Sequence, residues 1–190
     1  NSIREYIRNF IMSKLETNTI DNISGSSTLT IGDTNTSTIA LKSGATLTNF
    51  PDNTPAFKAT TSGSTTMPNQ TATKIAFASE IFDTAGAYDT SNSRFTPQTA
   101  GKYSITAMIR FNSSTDFTDN ILRIYKNGSD VVQNQQSHFH FECNTVTSII
   151  TLNGSSDYVE IYGFQNSGGN VDNEGGTTTS FFQGYKIIGA

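Results

Sequence analysis

Residues 102–111 read KYSITAMIRF, in which apolar and other side chains alternate along the whole stretch. The apolar positions are Tyr103, Ile105, Ala107, Ile109 and Phe111. Successive side chains of an extended strand point to opposite faces, so a period of two places all five on one face. The segment therefore predicts a β-strand with one buried face and one exposed face.

The chain around this strand has the same character from about residue 56 onward. Strand-like segments occur at residues 74–82, 121–125, 146–152, 158–164 and 180–188. Asn127-Gly128 and Asn153-Gly154 stand between such segments and are typical of tight turns. Regularly spaced strands with turn signals between them predict an all-β sandwich or jelly roll.

The composition agrees with an all-β chain and excludes several partners. The 190 residues include 22 Ser, 29 Thr and 18 Asn, which favour strands and turns over helices.

A net charge of -4 gives no basic footprint for nucleic acid, and no run of about 18 apolar residues predicts membrane insertion. One cysteine, Cys143, excludes an intrachain disulfide. We expect no export, because residues 1–15 lack a secretory cleavage pattern.

Six residues stand at the spacing of a known signature, namely Phe77, Asp83, Tyr88, Phe95, Gly101 and Tyr103. In this spacing residues 56–190 resemble the globular domain of complement C1q, a jelly roll shared with the tumour necrosis factor superfamily. Phe182 and Gly184 resemble the closing strand of that family. Ile105 and Ala107 depart from its aromatic pattern but stay apolar. The resemblance implies a ten-stranded jelly-roll head that packs as a homotrimer around a threefold axis.

Residues 1–18 carry a stripe of apolar side chains at helical spacing, formed by Ile3, Ile7, Phe10, Ile11 and Leu15. An isolated helix of about a dozen residues is marginal in water, so the stripe needs a partner. We expect an anchoring helix that bundles with sister chains or docks on another assembly, and a helix packed on its own domain is the alternative. Met12 is an alternative start of the chain.

Residues 19–55 contain short alternating pieces around residues 29–31, 39–41 and 47–50, separated by turn formers. Strands this short become stable when they stack on neighbours, which is the pattern of a fibre shaft. An extended polar linker is the alternative. Residues 14–50 resemble the N-terminal part of virion structural proteins of tailed phages.

Motifs of catalysis are missing from the sequence, so we expect a protein that is not an enzyme. The candidate ligand contacts are polar and aromatic residues of two turn-rich segments: Asp116, Phe117, Asp119, Gln165, Asn170, Asp172 and Glu174. We interpret the second segment as a solvated loop whose Asp172 and Glu174 could also hold calcium through oxygen ligands.

A His-x-His pair is the single candidate site for a transition metal. Alternation places His138 and His140 on one face of a strand and Cys143 on the opposite, core face. Two imidazoles are too few for a tight site, but a threefold axis would supply six, enough for an octahedral ion. No other cofactor is expected, and an exposed or interface strand with histidines bound to water is the alternative.

Together these observations predict a trimeric fibre or appendage protein on the surface of a phage particle. The helix would contact other virion proteins, and the head would bind a host-surface receptor, with a glycan as the expected type. Two alternatives are a capsid or tail decoration protein that cements its neighbours, and a secreted recognition module of the same fold.

Overall fold

A computed structural model of the protein describes residues 52–114, 118–137 and 142–189. All of them belong to the compact unit Asn49–Ala190. Four predictions fall outside the described residues and stay predictions. They are the anchoring helix, the repeats of residues 29–50, the two histidines, and the ligand contacts Asp116 and Phe117.

The described residues form thirteen strands, and none of these residues is helical. The strands are β1 (Ala56–Thr61), β2 (Thr66–Met67), β3 (Thr73–Lys74), β4 (Ser79–Asp83), β5 (Tyr88–Asp89), β6 (Arg94–Phe95), β7 (Gly101–Asn112), β8 (Asn120–Lys126), β9 (Ser129–Gln136), β10 (Cys143–Leu152), β11 (Val159–Gln165), β12 (Val171–Asn173) and β13 (Gly176–Lys186). Within this part of the chain no helix is long and apolar enough to cross a membrane.

Two antiparallel sheets make up the sandwich. The larger has seven strands in the order β2-β12-β7-β13-β1-β4, and β10 pairs with β7. The smaller has six strands in the order β5-β6-β11-β8-β9, and β3 pairs with β11. Sequence neighbours such as β7 and β8 lie in different sheets, as in a jelly roll. The predicted all-β jelly-roll class is confirmed.

The alternation along β7 is realised in the structure. Its five apolar residues, from Tyr103 to Phe111, are all fully buried, whereas the residues between them are partly exposed. Leu122 and Ile124 of β8 and Ile161 of β11 meet them from the smaller sheet and are also fully buried. Residues 102–111 therefore run through the middle of the core, with β10 on one side and β13 on the other.

Most of the signature residues form an aromatic cluster inside the head. Phe57 stacks on Phe95 at 4.3 Å between ring centroids and meets Phe182 edge to face at 4.8 Å. The cluster consists of Phe57, Phe77, Tyr88, Phe95, Tyr103 and Phe182, all buried. Such ring pairs add about 0.5–1.5 kcal/mol each beyond the burial of their area.

Polar groups of the signature hold the backbone around this cluster. Tyr88 donates its hydroxyl to the Phe77 carbonyl at 2.8 Å, and Asp83 accepts the backbone N–H of Tyr88 at 2.7 Å. A side chain at Gly184 would bring a Cβ to 2.6 Å from Ile105 and 3.0 Å from a backbone oxygen. The signature spacing thus reflects a buried ring cluster, its hydrogen bonds and one close approach of strands.

Both predicted tight turns are present. Asn127 and Gly128 have φ values of 53° and 79° and join β8 to β9, which is the conformation that favours an Asn-Gly pair. Gly154 has a φ of 72°, and a Cβ at this position would overlap the backbone of Ala100. The Asn127-Gly128 turn fixes the register of β8 and β9, which form a hairpin, whereas the segment that begins at Asn153 connects β10 to β11 of the other sheet.

Three details differ from the sequence prediction. Cys143 is exposed rather than buried, because β10 turns Asn144 inward, where its amide bonds to Asn120 and Asn134. The segment 74–82 is not one strand but β3 and β4 with an irregular stretch between them. The loop expected to be solvated contains the strand β12, which pairs with β2 and β7.

The first and last strands of the sandwich are neighbours. Ala56 of β1 pairs with Tyr185 of β13, and the Lys186 N–H donates to the Pro55 carbonyl at 3.0 Å. The chain therefore enters and leaves the sandwich at the same end.

Candidate functional site

The outer face of the larger sheet carries exposed apolar side chains on β10, β13 and β4. One cross-strand row consists of Ile149, Ser104, Tyr185 and Ala56, on β10, β7, β13 and β1. Ile149 is 61% exposed, Tyr185 47% and the nearby Phe82 of β4 45%. We call Phe82, Tyr185 and Ile149 the apolar strip. Exposed apolar side chains gathered on one face indicate a contact surface.

A shallow groove of about 180 Å³ lies at one end of this strip. Phe82 and Tyr185 form its walls, and Ala56, Phe57, Gln183 and Gly184 complete the lining. Gly184 contributes only backbone to the lining, because a Cβ there would point towards Ile105 and Phe57 of the core. At the other end of the row Ile149 projects from β10, so the face offers both a cavity and a projecting side chain.

The outer face of the smaller sheet has a different chemistry. Buried Leu122, Ile124 and Ile161 point inward, so the residues between them on β8 and β11 point outward. Tyr125 and Tyr162 stack there at 4.0 Å with 21° between their planes.

Cations lie over the neighbouring rings of the same face. The Arg94 guanidinium stands 3.7 Å from the centre of the Tyr158 ring, and that of Arg123 lies 5.3 Å from the Phe164 ring. Arg123 also pairs with Asp130 at 3.4 Å. These contacts hold the rings and the guanidinium groups in fixed positions.

A buried carboxylate organises the cations of this face. The Glu160 side chain is only 3% exposed, and its Oε1 accepts from Arg94 Nη2 at 2.8 Å and from Lys74 Nζ at 3.2 Å. Arg94 Nε donates to the same oxygen at 3.0 Å. Burial, followed by the charge of Glu160, raises the pKa of Tyr162, so this phenol stays a neutral donor.

The predicted ligand residues that the structure describes gather at one end of the sandwich. Asp119 and Asn166 bond reciprocally, since the Asp119 N–H donates to Asn166 Oδ1 at 2.6 Å and Asn166 Nδ2 donates to Asp119 Oδ2 at 3.0 Å. Asn170 is exposed in the adjoining turn. Glu174 pairs with Arg110 at 2.6 Å, and Asp172 accepts the Thr66 hydroxyl at 2.5 Å.

Gln165 requires a correction as a ligand contact. It is fully buried, and its amide nitrogen donates to the carbonyls of Met67 at 2.9 Å and Gly169 at 2.8 Å. Its Oε1 accepts from the backbone and hydroxyl of Ser167. Gln165 therefore closes the turn after β11 and does not face a ligand. In the described residues no group of three His, Cys, Asp or Glu side chains could hold a metal ion.

The aromatic side chains of the smaller sheet were missed by the sequence analysis. A signal was present, because Tyr162 and Phe164 alternate with Ile161 and the core-facing Gly163. Aromatic residues on the side opposite the aliphatic ones indicate an outward aromatic face. The pairing of Tyr162 with Tyr125, 37 positions earlier, depends on the register of β8 and β11 and could not be foreseen.

Comparison of sequences gives a match to part of the chain. No family model matches the chain. The uncharacterized protein YqcC of Bacillus subtilis (strain 168) is 32% identical over 124 residues, which cover 57% of this chain. The aligned part spans only 33% of YqcC, about one third of its length.

Three solved structures superimpose on most of the head at low identity. Murine APRIL has a TM-score of 0.56 at 9% identity and covers 70% of this chain and 98% of its own. The PRD1 vertex protein P5 has a TM-score of 0.53 at 16% identity and covers 72% of this chain and 99% of its own. The globular domain of zebrafish complement 1qA has a TM-score of 0.51 at 16% identity and covers 72% of this chain and 98% of its own. The head of this protein therefore has the jelly-roll fold of the tumour necrosis factor and complement C1q structures.

Proposed function

We propose that this chain is a trimeric appendage protein of a phage particle, and that its jelly-roll head binds a host-surface receptor. The observation that carries the proposal is the apolar strip on the outer face of the larger sheet. Leaving Phe82, Tyr185 and Ile149 in water is unfavourable by about 25 cal/mol for each Å² of apolar surface. A second copy of the head is a suitable partner, because the face also contains a cavity.

The geometry of the strip supports a closed ring of subunits. Ile149 projects on β10, whereas the groove between Phe82 and Tyr185 lies towards the other edge of the sheet. A contact of Ile149 on one copy with the groove on the next is heterologous, since different surfaces meet. Heterologous contacts close into rings when the rotation allows, and a threefold ring is what the family resemblance implies.

The assignment to a phage particle rests on two further points. Residues 14–50 resemble virion structural proteins of tailed phages, and the head shares its fold with a protein described as the PRD1 vertex protein. In this proposal residues 1–18 attach the trimer to other virion proteins. Three weak receptor sites on one head, repeated over several appendages, then reach high avidity without a strong single contact.

The oligomeric state is tested by the light-scattering mass of the full chain. We expect three times the chain mass of 20.6 kDa at micromolar concentration. Tyr185→Ser is expected to shift the mass towards the monomer. Val131→Ser is the matched control, because Val131 is 46% exposed but lies on β9 of the smaller sheet. A monomeric wild-type chain would contradict the trimer and the avidity mechanism together.

Receptor binding is tested by competition. Purified protein, added to susceptible cells before the particles that carry it, is expected to reduce particle adsorption. Undiminished adsorption at saturating protein, with a trimeric mass, would favour the structural alternative, a decoration protein that cements its neighbours.

A further inference from the structure

We infer that the outer face of the smaller sheet is the receptor-binding surface of the head, and that its ligand is a saccharide bearing a carboxylate group. This face consists of Lys74, Arg94, Arg123, Tyr125, Tyr162 and Phe164, and we call it the aromatic face. The inference rests on the proposed function, because it names the ligand class and the position of that receptor site. In a trimer assembled through the apolar strip, the aromatic face lies on the opposite side of each sandwich and remains open.

The aromatic face is organised before any ligand arrives. Tyr125 and Tyr162 are stacked on each other, and Arg123 is held between the Phe164 ring and Asp130. Four strands position these groups, because Lys74 comes from β3, Arg94 from β6, and the rest from β8 and β11. Binding therefore immobilises few side chains, which keeps its entropic cost low.

The ring pair and the polar groups around it suit a sugar. A pyranose ring presents apolar C–H groups that pack on aromatic rings and hydroxyls that need hydrogen-bond partners. The phenol of Tyr162 and the guanidinium of Arg123 supply donors beside the rings. Gln133 of β9 is exposed directly opposite Arg123 and supplies an amide.

The cations of the aromatic face favour an acidic ligand. Within the described residues the ion pairs of this face join three cations, Lys74, Arg94 and Arg123, to two carboxylates, Glu160 and Asp130. Asp89 pairs with Arg94 across β5 and β6, and its carboxylate accepts hydrogen bonds from Ser91 and Asn92. The side chains of Lys74 and Arg94 are each 34% exposed, so their remaining N–H groups are accessible. A carboxylate at this point receives charge-assisted hydrogen bonds.

A protein ligand fits this face less well. The centre of a protein interface is depleted in Lys, Glu and Asp, whereas Lys74, Glu160 and Asp130 all lie on this face. The apolar side chains that such a centre requires, Phe82, Tyr185 and Ile149, lie on the larger sheet. The saccharide is therefore the occupant that the charges and rings support.

The experiment is a titration of the full chain with free saccharides, followed by calorimetry and saturation-transfer NMR. The probes are matched pairs that differ in the charge of the carboxylate: sialyllactose against its methyl ester, and oligogalacturonate against its methyl ester. Free sugars report the single site, so the result does not depend on the trimer. We expect each acidic sugar to bind at least about ten-fold more tightly than its neutral partner, the effect of one charge-assisted hydrogen bond.

Variants locate the site. Lys74→Gln keeps Glu160 bonded to Arg94 and is expected to weaken the acidic sugar about ten-fold. Tyr162→Leu is expected to weaken acidic and neutral sugars alike, by about five-fold. Lys102→Gln is the matched control, an exposed lysine on β7 of the larger sheet, and is expected to bind as the wild type. Melting curves confirm that each variant is folded.

Three results would overturn the inference. Equal affinity for acidic and neutral sugars would remove the carboxylate from the ligand class. Tight binding that survives Lys74→Gln and Tyr162→Leu but is lost in Asn170→Ala would place the site at the end of the sandwich instead. If no sugar binds, yet the protein blocks particle adsorption and protease treatment of the cells abolishes this effect, the ligand is a protein and the proposed function stands. The proposed function itself fails separately, when adsorption is not reduced.

Discussion

Replacement of Phe182 by alanine tests the central assignment of the core. Its side chain is fully buried and meets Phe57 at 4.8 Å and both Phe77 and Tyr88 at 5.8 Å between ring centroids. Phe→Ala changes in cores cost about 3–5 kcal/mol, depending on how far the site collapses. Strands β1 and β7 flank β13 on both sides, so little collapse is possible. We expect Phe182→Ala to lower the free energy of unfolding by about 4 kcal/mol.

The neighbouring Phe181 is the matched control. Its ring is partly exposed and its contact is with Lys58, whose Nζ lies 5.1 Å from the ring centre. Phe181→Ala should therefore cost about 1 kcal/mol. The measurement is urea unfolding by near-ultraviolet circular dichroism at one fixed chain concentration, because assembly contributes to stability. Phe182→Leu, which keeps most of the volume, should cost less than half as much as Phe182→Ala. Equal losses for Phe181→Ala and Phe182→Ala would refute the assignment of inward and outward faces.

Three further predictions follow from the turns and the titratable groups. Gly154→Ala should lower the melting temperature by several degrees because it combines a positive φ with a clash, whereas Gly63→Ala, which has open space around it, should be neutral. Burial raises the pKa of Tyr88 above 10, so unfolding free energy in urea titrations should stay level up to about pH 10 and fall above it, less steeply in Tyr88→Phe. Hydrogen bonds from Ser91 and Asn92 lower the pKa of Asp89 to about 2, and carboxyl NMR titration should show this value rising towards 3.8 in Ser91→Ala.

The sequence predicted the parts of the fold that depend on local pattern. Tyr103 and its alternating partners fixed one face of β7, and Asn127-Gly128 fixed a hairpin, because both signals are complete within a few residues. The spacing from Phe77 to Phe95 was informative for a further reason. Those rings meet in one cluster, so their identity is constrained by contacts as well as by strand geometry.

What the sequence could not reveal depends on register and on polar partners. Asn144 is buried because amides from two other strands satisfy it, and this pairing reverses the expected face of Cys143. Gln165 is buried for the same reason, and one of its carbonyl acceptors, that of Met67, is 98 positions away in sequence. The three residues of β12 are too few to show a period, so this strand was mistaken for a loop. The aromatic face combines residues from four strands. It could not be recognised from the sequence, because the pairing and register of those strands were unknown.

Because its first and last strands pair, the head is a unit that can be inserted at a single point of another chain. Ala56 and Tyr185 are paired, so the points at which the chain enters and leaves the sandwich are close together in space. A longer polypeptide can therefore accept the whole head at a surface loop, or lose it, while the path of the rest stays unchanged. In the appendage protein proposed above, such an exchange would replace the receptor-binding head in a single step and keep the attachment segment.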